Sequence, residues 1–392
     1  MKLLHTSDWH VGKTLKGTSR VDEHREVLRE VVRVAEAEEV DLALVAGDLF
    51  DSAAPSPEAA SVVFEALLAL RDTGATVVAI AGNHDHPGQF DALRPLMAAA
   101  GITMLGRSHR PEDGGVVDVA TKSGETARLA LLPFLSQRHV VKAADLMAHD
   151  AAENAATYDE RMRLLLASLT RSFGPGAVNV VVAHCTIVGG KTGGGEREAQ
   201  TIFDYWVDAT AFPASAHYVA LGHLHRTQQL PGACPIWYSG SPLQVDFGEA
   251  EEAKNVLVVE ATPTTPASVR RIPLTTGRRL RTVTGTLDQL RRMAGTTGDD
   301  VLRVFVNEPA RAGLADEVRE ILPLAVEVRV AAALTDTNNG DRPSVARRAR
   351  SPHELFKEFL GSRGVSDERV ERLFAELLDE QAAAEHAELG AG

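Results

Sequence analysis

Only two cysteines, Cys185 and Cys234, occur among 392 residues, and they form no CxxC pair. That excludes a disulfide framework and a thiolate zinc site and points to a reducing compartment. No run of about 18 apolar residues occurs either, and His5 and Asp8 interrupt the apolar start Met1-Lys2-Leu3-Leu4 before a signal-peptide core forms. The expectation is a soluble cytoplasmic protein without a membrane partner. Positive charge is in the minority, with 41 Lys and Arg against 54 Asp and Glu, a net charge of -13. Such a balance does not by itself grip a nucleic-acid backbone, so any DNA contact needs a local patch, bound metal or a partner. Divalent cations suit an acidic chain and invert its local field. No internal repeat with a period of about 20–50 residues is present.

What is present is a regular succession of short apolar runs: Leu3-Leu4, Leu42 to Ala46, Val77 to Ile80, Val178 to Ala183 and Tyr218 to Leu221. Each is too short for a helix and rich enough in Val, Ile and Leu for a strand buried on both faces. Between them Val27, Leu28, Val31, Val32 and Ala35 recur at helical spacing, as do Val62, Val63, Ala66, Leu67 and Leu70. Strand, helix, strand, helix predicts a layered α/β domain, and the length predicts two or three domains in all. The Pro- and Thr-rich stretch Ala261 to Ala267 reads as a boundary region. After Pro273 a smaller unit is predicted, with strands at Val301 to Val306 and Val326 to Val330 and a helix at Ala312 to Ile321. Residues 336–350 carry four Arg and read as an exposed linker, with a nucleic-acid contact as the alternative. Residues 351–390 read as two amphipathic helices, which either pack on their own domain or dock in a partner.

Every apolar run ends in groups able to hold metal: Asp8-Trp9-His10, Gly47-Asp48-Leu49-Phe50-Asp51, Gly82-Asn83-His84-Asp85, His184, and Gly222-His223-Leu224-His225. Ligands of open α/β sheets bind beyond the carboxyl ends of strands, so these loops can converge. Singly, each has an ordinary explanation: Asp8 as a turn cap, Asp48 and Asp51 as Asx-turn residues, His184 as a satisfied core histidine. Their ordered combination outweighs those explanations. Asp, His and Asn without Cys suit borderline to hard divalent ions such as manganese, iron or zinc. The donors exceed what one ion takes, and a shared carboxylate lets two ions sit about 3.5–4 Å apart, as in hydrolytic phosphoryl transfer. Gly189-Gly190-Lys191-Thr192 ends like a phosphate-binding loop, but Cys185 stands where its first glycine belongs, which excludes a nucleotide site there.

Asp-x-His, Gly-Asp-x-x-Asp, Gly-Asn-His-Asp, a later His and Gly-His-x-His together resemble the calcineurin-type metallophosphoesterase superfamily. Within it, Thr6 to Gly12, Gly47 to Asp51 and Tyr238-Ser239-Gly240-Ser241-Pro242-Leu243-Gln244 resemble the DNA-nuclease subunits of bacterial ATP-driven complexes. The resemblance implies an α/β/β/α sandwich over residues 1–270, a smaller α+β capping domain over 274–335 that helps admit DNA ends, and a linker at 336–350. It also implies a helical pair at 351–390 that docks on the coiled-coil base of an ATPase subunit. Asp8, His10, Asp48 and His225 are then expected on one ion, and Asp48, Asn83, His184 and His223 on the other. Mn2+ is the expected metal, with Mg2+, Fe2+ or Zn2+ as alternatives. His84 is expected to meet the scissile phosphate, with Asp85 orienting its imidazole. The implied activity is exonuclease on duplex ends and endonuclease on single strands and hairpins, in DNA repair, recombination and replication, from a homodimer within a heterotetramer. The alternative is a phosphoesterase acting on small nucleotides or phosphomonoesters.

Overall fold

Each apolar run forms a strand whose two faces meet different cores. A computed structural model describes residues 1–136, 158–194, 196 and 206–331, together with Leu360. Strands β1 (Lys2–Thr6), β2 (Leu42–Ala46), β3 (Thr76–Ile80) and β4 (Ile102–Leu105) run parallel side by side. A second sheet takes β5 (Val116–Ala120), β6 (Thr126–Leu132), β7 (Val178–His184), β8 (Tyr218–Gly222), β9 (Gln228–Leu230) and β10 (Ile236–Tyr238). Strands β11 (Asn255–Thr262) and β12 (Thr265–Pro273) then return to the first sheet, whose order becomes β12-β11-β1-β2-β3-β4. The order of the second is β9-β10-β8-β7-β6-β5.

Alternation along the strands sets the layers. Leu42, Leu44 and Ala46 of β2 meet Val178, Val180 and Val182 of β7 in the core between the sheets. Ala43 and Val45 turn the other way, toward helices α1 (Val21–Ala37), α2 (Pro57–Asp72) and α3 (Pro87–Ala99). On the far side Val181 and Ala183 of β7 pack against α4 (Tyr158–Leu169) through Met162, Leu165, Leu166 and Leu169. A strand covered on both faces needs an apolar residue at every position, which is why these runs do not alternate with polar residues. The fold is the expected α/β/β/α sandwich. Helix α2 starts where Ser56 accepts a hydrogen bond from the Ala59 N–H at 3.2 Å and Pro57 occupies the first turn. Among the described residues no helix is long and apolar enough to cross a membrane.

One polar residue crosses the central core. The His5 ring lies between the sheets, Nδ1 against the Tyr218 hydroxyl at 2.8 Å and Nε2 against the Leu221 carbonyl at 3.1 Å. Burial drives its pKa down to about 3, so the ring stays neutral and links the two sheets as a donor and acceptor.

Two boundary expectations change. Residues 261–267 form the turn of the β11–β12 hairpin, and pairing continues from Thr262 and Thr265 to Asn255 and Pro273, so a boundary at 270 falls inside a strand. The smaller unit follows as β13 (Leu280–Gly285), α5 (Leu287–Met293), β14 (Val301–Val306), α6 (Leu314–Ile321) and β15 (Ala325–Val330), its three strands all parallel. Helix α6 begins at Leu314 rather than Ala312 because Gly313, at φ 77°, stands at its N-cap in a left-handed conformation. Gln244 joins this unit to the sandwich: its Oε1 accepts from the Leu280 N–H at 2.7 Å and its Nε2 donates to the carbonyls of Glu249, Ala250 and Glu252. Beside it Glu23 accepts from both Arg20 and Arg278. The expected linker at 336–350 and helical pair at 351–390 lie outside the described residues, apart from Leu360.

Candidate metal centre

The loops at the carboxyl ends of β1, β2, β3, β7 and β8 meet, and they come from both sheets rather than one. The Asp8 N–H donates to the Gly47 carbonyl at 2.9 Å, and the His10 N–H to the Asp48 carbonyl at 3.0 Å, which laces the first two loops together. Asp8, His10, Asp48 and His223 all have positive φ, at 53°, 47°, 53° and 107°. Side-chain-bearing residues held there cost on the order of 1–3 kcal/mol each and persist where surrounding structure over-determines them. The His223 N–H donates to Asp8 Oδ1 at 2.9 Å, supplying part of that determination. Three glycines make the convergence possible by having no side chain. A Cβ on Gly82 would stand 2.2 Å from Asp48 Oδ1, one on Gly47 2.2 Å from His184 Nδ1, and one on Gly222 1.9 Å from the Ala46 carbonyl oxygen. Gly82 is therefore required for close approach; it is not among the glycines of positive φ, so a tight turn is not its reason.

The expected ligand residues divide into two neighbouring groups. Asp8, His10 and His225 bring ligand atoms within 4.8 Å of one another, and so do Asp48, His184 and His223. Asn83 belongs with the second group, its Oδ1 lying 3.0 Å from His184 Nε2 and 2.8 Å from His223 Nδ1. Asp48 Oδ2 stands between the groups, 3.7 Å from His10 Nε2 and 3.4 Å from His184 Nε2. His223, at φ 107°, is not in an extended conformation, and its ring and that of His225 serve different groups.

The donor set fits divalent cations. His10 Nε2 and His225 Nε2 face each other at 2.9 Å, which is about the separation of two nitrogens bound at right angles to one ion with bonds of about 2.05 Å. All six His and Asp residues are at most 2 % exposed, so their charges must be balanced within the site. Burial opposes charge on His184, but the neighbouring Asp48 carboxylate prevails and raises its pKa to about 9, while Asp48 is held well below the usual carboxylate range. A cation entering here must displace protons, which couples its binding to pH.

Behind the ligands are groups that aim them. His184 Nδ1 donates to the Ala46 carbonyl at 2.8 Å, which turns Nε2 toward Asp48. His225 Nδ1 pairs with Glu249 Oε1 at 2.8 Å, and Glu249 pairs in turn with Lys254 Nζ at 2.8 Å. Burial opposes the Glu249 charge, but Lys254 and His225 hold its pKa down at about 2. Ser7 Oγ donates to Asp8 Oδ2 at 2.5 Å and lies 2.7 Å from Ser239 Oγ. Phe134 stacks on His223, with ring centroids 6.3 Å apart and planes 22° apart. Sequence reasoning missed Glu249, Lys254 and Phe134. Phe134 had a signal: it follows Leu131-Leu132-Pro133, the end of a sixth apolar run.

His84 and Asp85 are both present, in a different relation from the one expected. The Asp85 carboxylate accepts the backbone N–H groups of Gly82 at 2.8 Å, Phe50 at 3.0 Å and Leu49 at 3.2 Å. It braces the Asp48 loop against the Asn83 loop rather than orienting the imidazole. That task falls to the Asp51 carbonyl, 2.7 Å from His84 Nδ1. The His84 ring stands edge-on to His10, with centroids 4.6 Å apart, and the His84 backbone N–H donates to Asp48 Oδ1 at 2.7 Å. His86 caps α3, its Nδ1 accepting from the Gln89 N–H at 3.1 Å.

Comparison with known proteins agrees with this geometry. The family model described as Calcineurin-like phosphoesterase matches residues 1–227. The SbcD subunit of the nuclease SbcCD from Bacillus subtilis is 32% identical, over 96% of this chain and 97% of its own length. Its counterpart in Rhodobacter capsulatus is 34% identical over 70% of this chain and 69% of its own length. That of Escherichia coli K12 is 30% identical over 66% and 64%. With its ligand loops, its two-sheet frame and a full-length match of this kind, the chain belongs to the calcineurin-like phosphoesterase family and, within it, to the SbcD nucleases.

Proposed function

We propose that the chain is a two-metal DNA phosphodiesterase, the nuclease subunit of an SbcCD complex. One observation carries the reading: a single carboxylate oxygen, Asp48 Oδ2, lies between two histidine-bearing groups, 3.7 Å and 3.4 Å from their ring nitrogens. Asp8, His10, Asp48 and His225 would hold one cation, and Asp48, Asn83, His184 and His223 the other. When bound, such a pair activates water and neutralises charge gathering on the phosphoryl oxygens. Manganese is the preferred ion, since the donors are hard to borderline and none is a thiolate.

The chain's own residues supply position and protons. With His84 Nδ1 engaged by the Asp51 carbonyl, any contact with the reacting phosphate falls to Nε2. From there the ring stabilises the phosphoryl group or protonates the leaving oxygen. Asp85 acts one step back, as a positioning residue that holds the Asp48 and Asn83 loops in register. The unit after Pro273 acts as the capping domain that admits DNA ends, and residues 351–390 dock on the SbcC ATPase. An acidic chain needs that partner for much of its grip on DNA. The assembly is a cytoplasmic heterotetramer with two copies of each subunit, acting on DNA ends and hairpins in repair, recombination and replication. A likeness over 97% of a nuclease subunit's length favours this over a small-molecule phosphoesterase.

The test is cleavage of a labelled duplex by this chain copurified with its ATPase partner, with and without ATP. ATP-stimulated cleavage that disappears in Asp48→Ala is the expected result. A chain that hydrolyses small phosphodiesters but leaves DNA intact with its partner present overturns the proposal.

A further inference from the structure

The structure assigns Glu249 as a positioning residue for the metal centre: it fixes the His225 tautomer, so that the proton stays on Nδ1 and Nε2 faces the cation. This rests on the two-metal reading above and extends it to a residue outside the ligand motifs.

The geometry is asymmetric in a way that commits each oxygen. Glu249 Oε1 lies 2.8 Å from His225 Nδ1. Oε2 receives Lys254 Nζ at 2.8 Å, the Val245 N–H at 3.1 Å and the Ser241 hydroxyl at 3.3 Å. Glu249 is fully buried, and Lys254 is 8% exposed. Lys254 directs its remaining donors to the His225 carbonyl at 3.1 Å and Ser241 Oγ at 2.9 Å, so it holds both Glu249 and the backbone of the residue Glu249 aims. With the carboxylate able only to accept, His225 must donate through Nδ1. In the neutral ring that a cation requires, Nε2 is then the lone pair, directed at the point it shares with His10 Nε2 at 2.9 Å. The 249–254 segment enters no ligand motif, and it reaches the ligand His225 through the side chains of Glu249 and Lys254.

The donor set also dictates what an isosteric amide would do. In Glu249→Gln, the Lys254, Val245 and Ser241 donors keep the amide oxygen on their side. The amide NH2 then points at His225 Nδ1 and donates to it, which moves the ring proton to Nε2, the ligand atom. A size-preserving change thus blocks one cation position. An orienting carboxylate replaced by its amide does the same to a catalytic imidazole elsewhere, giving intact geometry with the wrong tautomer.

The experiment uses the full chain, titrated with manganese by calorimetry, and nitrogen-15 NMR of the histidine rings with zinc bound. The wild type should bind two ions, with His225 as the Nδ1–H tautomer. Glu249→Gln should weaken one ion about 100-fold, the upper end for loss of an outer-sphere partner, and leave the other within about threefold. Its melting temperature with metal removed should stay near that of the wild type. Lys254→Met should weaken the same ion by a smaller factor, because the carboxylate remains but loses its counter-charge. Unchanged affinity for both ions in Glu249→Gln, or equal weakening of both with a lowered melting temperature, overturns the assignment and leaves Glu249 structural. A wild type that binds fewer than two ions instead refutes the two-metal reading, which separates the two failures.

Discussion

Gly82→Ala touches no ligand atom in composition, yet it should disable the metal centre. The added methyl carbon would stand 2.2 Å from Asp48 Oδ1, 2.4 Å from the Asp48 nitrogen and 2.7 Å from Asp48 Cγ. Two of these atoms belong to a side chain pinned by the His84 N–H at 2.7 Å, and the third to a backbone whose carbonyl accepts from His10. Restoring ordinary contact requires the two loops to part by about 1 Å. Overpacking of this kind costs roughly 1–3 kcal/mol of stability. A misplacement of about 1 Å at a catalytic centre costs on the order of 100-fold in rate. Because Asp48 lies between the two groups, both cations should bind more weakly. Calorimetric manganese titration with a parallel thermal melt separates the effects. Wild-type affinity for both ions in a folded Gly82→Ala protein would refute the close-approach argument.

Three further outcomes are expected. His84→Ala should keep both ions while single-turnover DNA cleavage falls about 10²–10⁴-fold; a loss of metal instead would make His84 a ligand. Asp85→Ala strips the acceptor from three buried N–H groups and should lower stability by on the order of 3 kcal/mol in denaturant unfolding, against almost no change if Asp85 served only the imidazole. Glu23 is the acid-sensitive joint. Burial opposes its charge, but Arg20 and Arg278 bring its pKa from 4.5 to about 2. A depressed carboxylate stabilises the fold above its unfolded pKa and loses that contribution as pH falls toward the folded value. Glu23→Gln should therefore cost about 3 kcal/mol at pH 7, with the gap to wild type closing between about pH 5 and pH 2. A gap independent of pH would contradict the ion-pair account.

The strands and ligands were legible because each carries a local signal. Leu42 to Ala46 and Val178 to Ala183 are uninterrupted apolar runs, and a metal-capable residue follows each directly. All seven predicted ligand residues lie together. The partition of strands between two sheets is not local, since β1, β2 and β3 look no different in sequence from β7 and β8. Glu249 was invisible for the same reason: it lies 24 residues from its imidazole, in a stretch without a ligand motif. Asp85 was misread because adjacency to His84 suggested a side-chain pair, whereas a carboxylate beside three backbone N–H groups is held by them first. Residues 261–267 were misread because Pro and Thr mark a hairpin turn as readily as a domain edge.

The central claim is that one carboxylate bridges two cations. Electron paramagnetic resonance of the manganese-loaded chain tests it directly, because two Mn2+ ions about 3.5–4 Å apart across a shared ligand are exchange-coupled. Two ions per chain with a coupled spectrum are expected, and in Asp48→Ala loss of the coupling together with loss of nuclease activity. Two uncoupled ions in the wild type, or coupling that survives Asp48→Ala, would contradict it.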